Sequence, residues 1–166
     1  MDQFIEIPIN ARWVQDYLDQ YNAAYVGPSA SSLKKMLHKH QTYTTLTQHG
    51  VPSPQQFYIE SVDELSTHSI EAAMAALSTT SISQLTTGLK TAQQFIVKPC
   101  YGSNSTGIDE SSVVSTSAAL QDKARYVLQE LAQAVVIEEY LPGDEYTVLA
   151  LGNGDERHFY LSLIHI

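Results

Sequence analysis

Residues 95–107 read FIVKPCYGSNSTG, an apolar run that ends at Lys98 and opens into small polar residues between Gly102 and Gly107. β-Branched residues favour a strand, and the glycines and serines that follow favour a loop. Backbone N–H groups of such a loop can converge on an anion while a lysine neutralises its charge. The stretch therefore predicts a strand and a phosphate-binding loop with hydroxyls from Ser103, Ser105 and Thr106. The alternative is a solvated hairpin loop with a surface lysine.

Residues 137–145, IEEYLPGDE, place two adjacent carboxylates on a second apolar strand and a third carboxylate after a Pro-Gly turn. Because only that turn separates Glu138 from Glu145, we expect both side chains to face one cleft. Carboxylates accept hydrogen bonds from amino groups and from sugar hydroxyls. The segment predicts a polar binding edge, and the alternative is a solvated acidic edge strand.

Lys39 is the third candidate, and it precedes a strong helix stop at residues 50–54, GVPSP. It stands in a basic patch with Lys34, Lys35, His38 and His40. A run of charges is usually a solvated face, and these histidines lack partners at a metal-ligand spacing. The sequence therefore predicts no metal site in this patch.

Composition limits the classes of function that the chain can have. The 166 residues suffice for one domain or two small subdomains, and 43% of them are apolar. Nine basic against 18 acidic residues give a net charge of −9, so we expect neither nucleic acid nor a membrane surface as partner. No apolar run approaches the length of about 20 residues that spans a bilayer. With Cys100 as the only cysteine, we expect a reducing, cytoplasmic location and no disulfide.

Hydrophobic periodicity along the chain predicts an α+β fold with antiparallel strand pairing. Ser61 and Glu64 form a capping-box pattern, from which we expect a helix that ends near Leu77. Ser and Thr dominate residues 78–91, for which we expect a surface loop. The predicted elements are a helix after Asn10 with a short strand at 24–26, short helices within 29–38 and 39–49, strands at 56–59, 95–97 and 113–114, a helix over about 117–131, and strands at 135–140, 146–151 and 158–163.

These blocks occur in an order that resembles the ATP-grasp ligases, and in particular the D-alanine–D-alanine ligases. The order is Lys39, GVPSP at 50–54, FIVKP with the glycine-rich loop, and VIEEYLPGDEYTV at 136–148. The resemblance implies an incomplete ATP-grasp fold in which two subdomains with antiparallel sheets clasp the nucleotide. It implies these divisions: 1–28 as the end of a preceding substrate domain and 29–166 as an incomplete ATP-grasp domain, with a small lid over about 54–134 and a larger subdomain starting at about 135.

The same resemblance assigns roles to individual residues. Lys39 and Lys98 contact the nucleotide phosphates, over which the loop with Gly102, Ser103, Ser105 and Gly107 closes. The adenine is read by the Glu138 side chain and by the backbone of Glu139 and Leu141, and Glu145 holds the ribose. Asn104 stands where the family has a substrate-touching serine, so it is the candidate substrate contact. The implied chemistry needs no side-chain nucleophile, so no catalytic residue is assigned.

The implied activity joins a carboxylate to an amine through an acylphosphate, with ATP as co-substrate. Magnesium is expected for a full-length parent, which can be a homodimer, but its ligands have no counterpart after Leu151. We therefore expect this chain to be a fragment without ligase activity, and its last residues, 161–166, resemble a translated adaptor sequence. The alternative is a non-catalytic nucleotide-binding or interaction module.

Overall fold

The computed structural model describes residues 13–79, 93–152 and 154–164. Its helices are α1 (Val14–Gln20), α2 (Ala30–Leu37), α3 (Lys39–Gln48), α4 (Thr67–Thr79) and α5 (Ser117–Gln129). Its strands are β1 (Gln56–Ile59), β2 (Phe95–Pro99), β3 (Val113–Val114), β4 (Val135–Glu139), β5 (Glu145–Leu151) and β6 (His158–Ile164). The predicted α+β class is confirmed. Most of the loop predicted at 78–91 lies outside the described residues.

Strands β1 to β4 form one antiparallel sheet in the order β1-β4-β2-β3. Strand β4 is central: Val135–Glu139 pairs with β1 on one side and with β2 on the other, and all five of its residues are buried. A strand that is covered on both faces reads as a continuous apolar run rather than an alternating one. This explains why the sequence VVI stands at its start.

Helices α4 and α5 cover one face of this sheet and form the hydrophobic core with it. In α5 the buried residues Leu120, Ala124 and Val127 recur at helical spacing, and they face Val97 and Ile137 of the sheet within one buried cluster. Burying each large aliphatic side chain contributes about 1.5–3 kcal/mol. The core therefore holds the inner strands β2 and β4 rigidly. In the part of the chain that the structure describes, no helix has the length and apolarity needed to cross a membrane.

The start of α4 differs from the prediction. Glu64 does accept from Ser61 and from the Glu60 backbone, but these contacts close a 3-10 turn, Val62–Glu64. Helix α4 begins at Thr67, where the Ser66 hydroxyl accepts from the backbone N–H of a residue in the first turn, at 3.1 Å. Between the two caps, Leu65 has a non-helical ψ of 75°, which ends the 3-10 turn, and its side chain is buried in the core. The strand predicted at 24–26 does not form either.

The junction between α2 and α3 is attached to the glycine-rich loop. The backbone N–H of Lys39 donates to the Cys100 carbonyl at 2.8 Å, and the N–H of Gly102 donates to the Leu37 carbonyl at 3.0 Å. His38, between the two helices, caps α3 by accepting from the Gln41 N–H through Nδ1 at 3.3 Å. These contacts place Lys39 next to the strand end that carries Lys98.

Strands β5 and β6 form a separate two-stranded antiparallel sheet. Glu145 pairs with Ile164 at its open end, and every residue of both strands is exposed. In the turn predicted at 152–154, Gly152 and Gly154 have φ of +105° and +54°, which suits glycine. Asn153 lies outside the described residues.

Candidate functional site

A cavity of about 280 Å³ opens between α3, β1 and the ends of β2 and β4. Its volume approaches the lower end of small-molecule sites, which is roughly 300 Å³. Apolar and polar side chains line it together: Met36, Lys39, Thr42, Tyr43, Leu46, Ser53, Pro54, Gln56, Lys98 and Glu138. Of the candidates, the structure thus brings together Lys39, Lys98 and Glu138.

Glu138 is the most buried charged group in this cavity, with 8% of the residue exposed. Strand register explains its partners: Gln56 lies directly opposite on β1, and Lys98 pairs with Val136, one diagonal step from Glu138 on the same face. The carboxylate forms an ion pair with Lys98 through Oε2 and accepts from Gln56 Nε2 through Oε1 at 2.5 Å. A buried carboxylate needs such partners, because removing it from water is costly.

Lys39 brings a second ammonium group to the same cavity. Its Nζ donates to the Gly102 carbonyl at 3.2 Å, so it reaches the start of the glycine-rich loop. Burial lowers the pKa of Lys39, and the neighbouring charge of Lys98 lowers it further. Two lysines therefore meet near one carboxylate, which favours an additional anion.

The loop that follows β2 adopts an unusual backbone. Asn104 and Ser105 have φ of +54° and +55°, and the Thr106 N–H donates back to the Ser103 carbonyl at 3.2 Å. A non-glycine residue in this region costs about 1–3 kcal/mol and is most common at functional sites. The predicted loop is therefore a defined turn with exposed hydroxyl and amide groups.

Both ends of this loop are fixed. Its start is held by the Gly102 N–H, which donates to the Leu37 carbonyl. Gly107 has φ of +72°, and a Cβ placed on it would lie 2.6 Å from Pro99 Cγ and 2.7 Å from Leu131 Cδ1, so only glycine fits. Beyond it, the buried Lys123 of α5 donates to Asp109 Oδ1 at 2.9 Å. The Ser111 hydroxyl and Lys123 together lower the pKa of Asp109 to about 2. The loop therefore sits between two anchored segments.

At the end of β4, backbone N–H groups point alternately toward the β2 side and toward the β1 side of the strand. The Tyr140 N–H donates to the Gln94 carbonyl at 2.8 Å, on the β2 side. Because successive peptide groups of a strand point in opposite directions, the N–H group of Glu139 points toward the β1 side. Strand β1 starts only at Gln56, opposite Glu138, so this backbone lies past its first pair.

Other candidates are not among the residues that line this cavity. Glu145, which was expected to share a cleft with Glu138, begins β5 in the two-stranded sheet. Leu141 is 47% exposed, and Asn104 is exposed on the loop. Sequence reasoning missed Gln56 and its neighbour His40. In the sequence, Gln56 was marked only by its position on a predicted strand, and His40 only by its position in the basic patch.

Cys100 is buried against His38, with Sγ 3.4 Å from Nδ1. Burial raises the pKa of the Cys100 thiol and lowers the pKa of the His38 imidazole. Within residues 13–79, 93–152 and 154–164, no group of three or more His, Cys, Asp or Glu side chains could hold a metal ion.

Comparison with known proteins shows which family the chain belongs to. A family model of the ATP-grasp domain matches residues 36–164. The chain belongs to the ATP-grasp family. No curated protein matches it significantly in sequence. This ATP-grasp chain is similar in fold to solved D-alanine–D-alanine ligases and synthetases, although the sequence identities are below one fifth.

Three solved structures illustrate the likeness. The D-alanine–D-alanine ligase of Coxiella burnetii is 19% identical with a TM-score of 0.68, and it matches 91% of this chain and 40% of its own. D-alanyl-alanine synthetase A of Vibrio cholerae is 14% identical with a TM-score of 0.69, over 92% of this chain and 41% of its own. The Bacillus anthracis ligase complexed with ATP is 18% identical with a TM-score of 0.56, over 92% and 47%. The chain thus spans less than half the length of these enzymes.

Proposed function

We propose that this chain binds ATP in the cavity beside the end of β4, as part of an ATP-dependent carboxylate–amine ligase. The observation that carries the proposal is the meeting of Lys39 and Lys98 around the single carboxylate of Glu138. Membership of the ATP-grasp family supports it, as does the similar Bacillus anthracis ligase, which was solved with ATP.

The proposed nucleotide lies with its phosphates toward the lysines and the loop. Lys39 and Lys98 neutralise phosphate charge, and the loop with Gly102, Ser103, Ser105 and Gly107 donates to phosphate oxygens. Glu138 accepts from the adenine amino group, and the backbone of Glu139 and Leu141 pairs with the adenine edge. We further propose that Glu145 binds the ribose and that Asn104 contacts the substrate.

In the whole ligase, we propose an acylphosphate route. A carboxylate oxygen of the first substrate attacks the γ-phosphorus, and the bond from that phosphorus to the ADP oxygen breaks. The amine nitrogen of the second substrate then attacks the carbonyl carbon, loses a proton, and expels phosphate. The residues described here contribute by positioning and charge neutralisation, which lower the barrier without a protein nucleophile. Magnesium would supply further charge neutralisation in such chemistry.

We propose that the chain is a piece of a longer cytoplasmic enzyme, since it spans 40–47% of its structural relatives. Residues 1–28 then end a preceding substrate domain, and 29–166 begin the ATP-grasp domain. Because β4 is central to the four-stranded sheet, we place the division between the lid and the larger subdomain after Glu139 rather than at about 135. We also propose that the full-length enzyme can form a homodimer.

Calorimetric titration of the folded chain with ATP, ADP and GTP tests nucleotide binding. We expect one site per chain and weaker binding of GTP, because an unmatched buried acceptor costs about 1–3 kcal/mol. Failure of a folded chain to bind ATP would contradict the proposal. Amino-acid-dependent phosphate release separates a ligase from the second candidate, a non-catalytic nucleotide-binding module.

A further inference from the structure

Gln56 joins the Glu138 carboxylate to His40 on the wall of the cavity. Its Nε2 donates to Glu138 Oε1 at 2.5 Å, and its Oε1 lies 3.2 Å from His40 Nδ1. Gln56 and Glu138 are 82 positions apart but directly opposite across β1 and β4. Both line the cavity, whereas His40 stands behind Gln56.

The hydrogen-bond directions in this chain of contacts follow from chemistry. Glu138 pairs with the Lys98 ammonium, so the carboxylate has no proton to donate. The Gln56 atom that faces it must be the NH₂ group, which leaves the amide oxygen toward His40. His40 Nδ1 must therefore carry a proton and donate it to that oxygen.

The His40 ring is itself held in place. It stacks on Tyr58 with ring centroids 4.7 Å apart and 19° between the planes, and on Tyr43 at 6.2 Å and 26°. A fixed ring keeps its Nδ1–H aimed at the amide oxygen, so the amide does not turn over. The order of donation is thus His40 to Gln56 to Glu138, with Lys98 donating to the other carboxylate oxygen.

We infer that Gln56 is a positioning residue that aims Glu138 at the nucleobase and sets a preference for adenine over guanine. The inference rests on the proposed function. Gln56 and Lys98 each take one oxygen of the carboxylate and so fix its plane, while each oxygen keeps a second lone pair. A carboxylate held this way accepts a hydrogen bond from the amino group of adenine. Guanine has a carbonyl oxygen at that position, which is also an acceptor, so no hydrogen bond can form with the carboxylate.

A merely structural Gln56 would change stability without changing nucleotide preference. The experiment therefore measures the ratio of GTP to ATP dissociation constants for the whole chain and its variants. Gln56→Met keeps the length of the side chain and removes both amide contacts. Gln55→Met is the matched control, because the neighbouring residue does not line the cavity.

We expect the ratio to fall about tenfold in Gln56→Met, the size of one well-placed hydrogen bond to a charged group. Gln55→Met should keep the wild-type ratio. Gln56→Thr is the second variant, because a β-branched residue suits a strand and its hydroxyl is too short to replace the amide. It should show the same loss if Gln56→Met does not fold.

Three results would overturn the inference. An unchanged ratio in a folded variant that still binds ATP removes the role of Gln56 and leaves the proposed function intact. An equal fall in Gln55→Met shows an effect of the strand rather than of the amide. Absence of ATP binding by the wild-type chain removes the proposed function and this inference together.

Discussion

Lys98 forms an ion pair with Glu138 and is proposed to contact the phosphates of ATP, and Lys98→Met tests both roles. The methionine keeps the apolar stem but removes the ammonium that pairs with Glu138 and faces the cavity. One charge-assisted contact to phosphate contributes about 1.5–3 kcal/mol, so the ATP dissociation constant should rise about tenfold to 150-fold. Calorimetric titration of wild type and variant measures this change.

The variant should also be less stable, because Glu138 loses its counter-charge. Breaking a fully buried pair costs about 3–5 kcal/mol, but the Lys98 and Glu138 side chains keep 24% and 11% exposure. A loss of about 1–3 kcal/mol is therefore expected in urea unfolding, within the 5–15 kcal/mol that is typical of domains.

A double variant and a control distinguish lost binding from lost folding. Lys98→Met with Glu138→Gln removes the unpaired charge, so stability should recover while ATP affinity stays low. Lys34→Met breaks a more exposed ion pair, with Asp16 at 3.1 Å, and neither of its members lines the cavity. It should leave ATP binding unchanged. Equal ATP affinity of folded wild type and Lys98→Met would refute the reasoning.

Three further predictions concern the loop and its surroundings. Gly107→Ala should lower the free energy of unfolding, measured in urea, by about 1–3 kcal/mol of overpacking, and by more than Gly50→Ala, where φ is a similar +70° but a Cβ meets no atom within 4 Å; equal losses would contradict this. Asp109→Asn should be less stable than wild type at pH 7, because the depressed pKa of about 2 stabilises the fold above the unfolded pKa of about 3.9. That difference should shrink as the pH falls from about 4 to 2, and a constant difference would exclude the ion pair with Lys123 as its cause. Cys100 should react slowly with iodoacetamide until urea unfolds the chain, because burial shields the thiol and raises its pKa; fast reaction of the native chain would contradict the buried position.

Much of the fold could be predicted from local patterns. The strand at 56–59 was predicted from its aromatic and β-branched residues, and the helix containing Leu120 and Val127 was predicted because burial on one face imposes a period that is visible in sequence. The start of α4 was predicted wrongly at Ser61. A capping pattern identifies a turn, but the buried Leu65 decides where the helix axis begins.

The candidate site could be predicted only in part. Lys98 and Glu138 were found because each ends an apolar strand, and the antiparallel register of β2 and β4 brings them together. Gln56 was missed because its role depends on pairing with a residue 82 positions away. Glu145 was expected to share a cleft with Glu138, and this stays a prediction: Glu145 begins β5 in the two-stranded sheet, and closeness in sequence across a turn does not fix which sheet a residue joins.

Amide chemical-shift mapping of the ¹⁵N-labelled chain with ATP and with adenosine tests the central claim most directly. We predict that ATP shifts the amides of Lys39, Lys98 and the loop at 102–107, together with those at 139–141. Adenosine, which lacks phosphates, should shift the amides at 139–141 and leave the loop unchanged. Shifts confined to the surface lysines Lys34 and Lys35, or no saturable shift at all, would contradict a nucleotide site in this cavity.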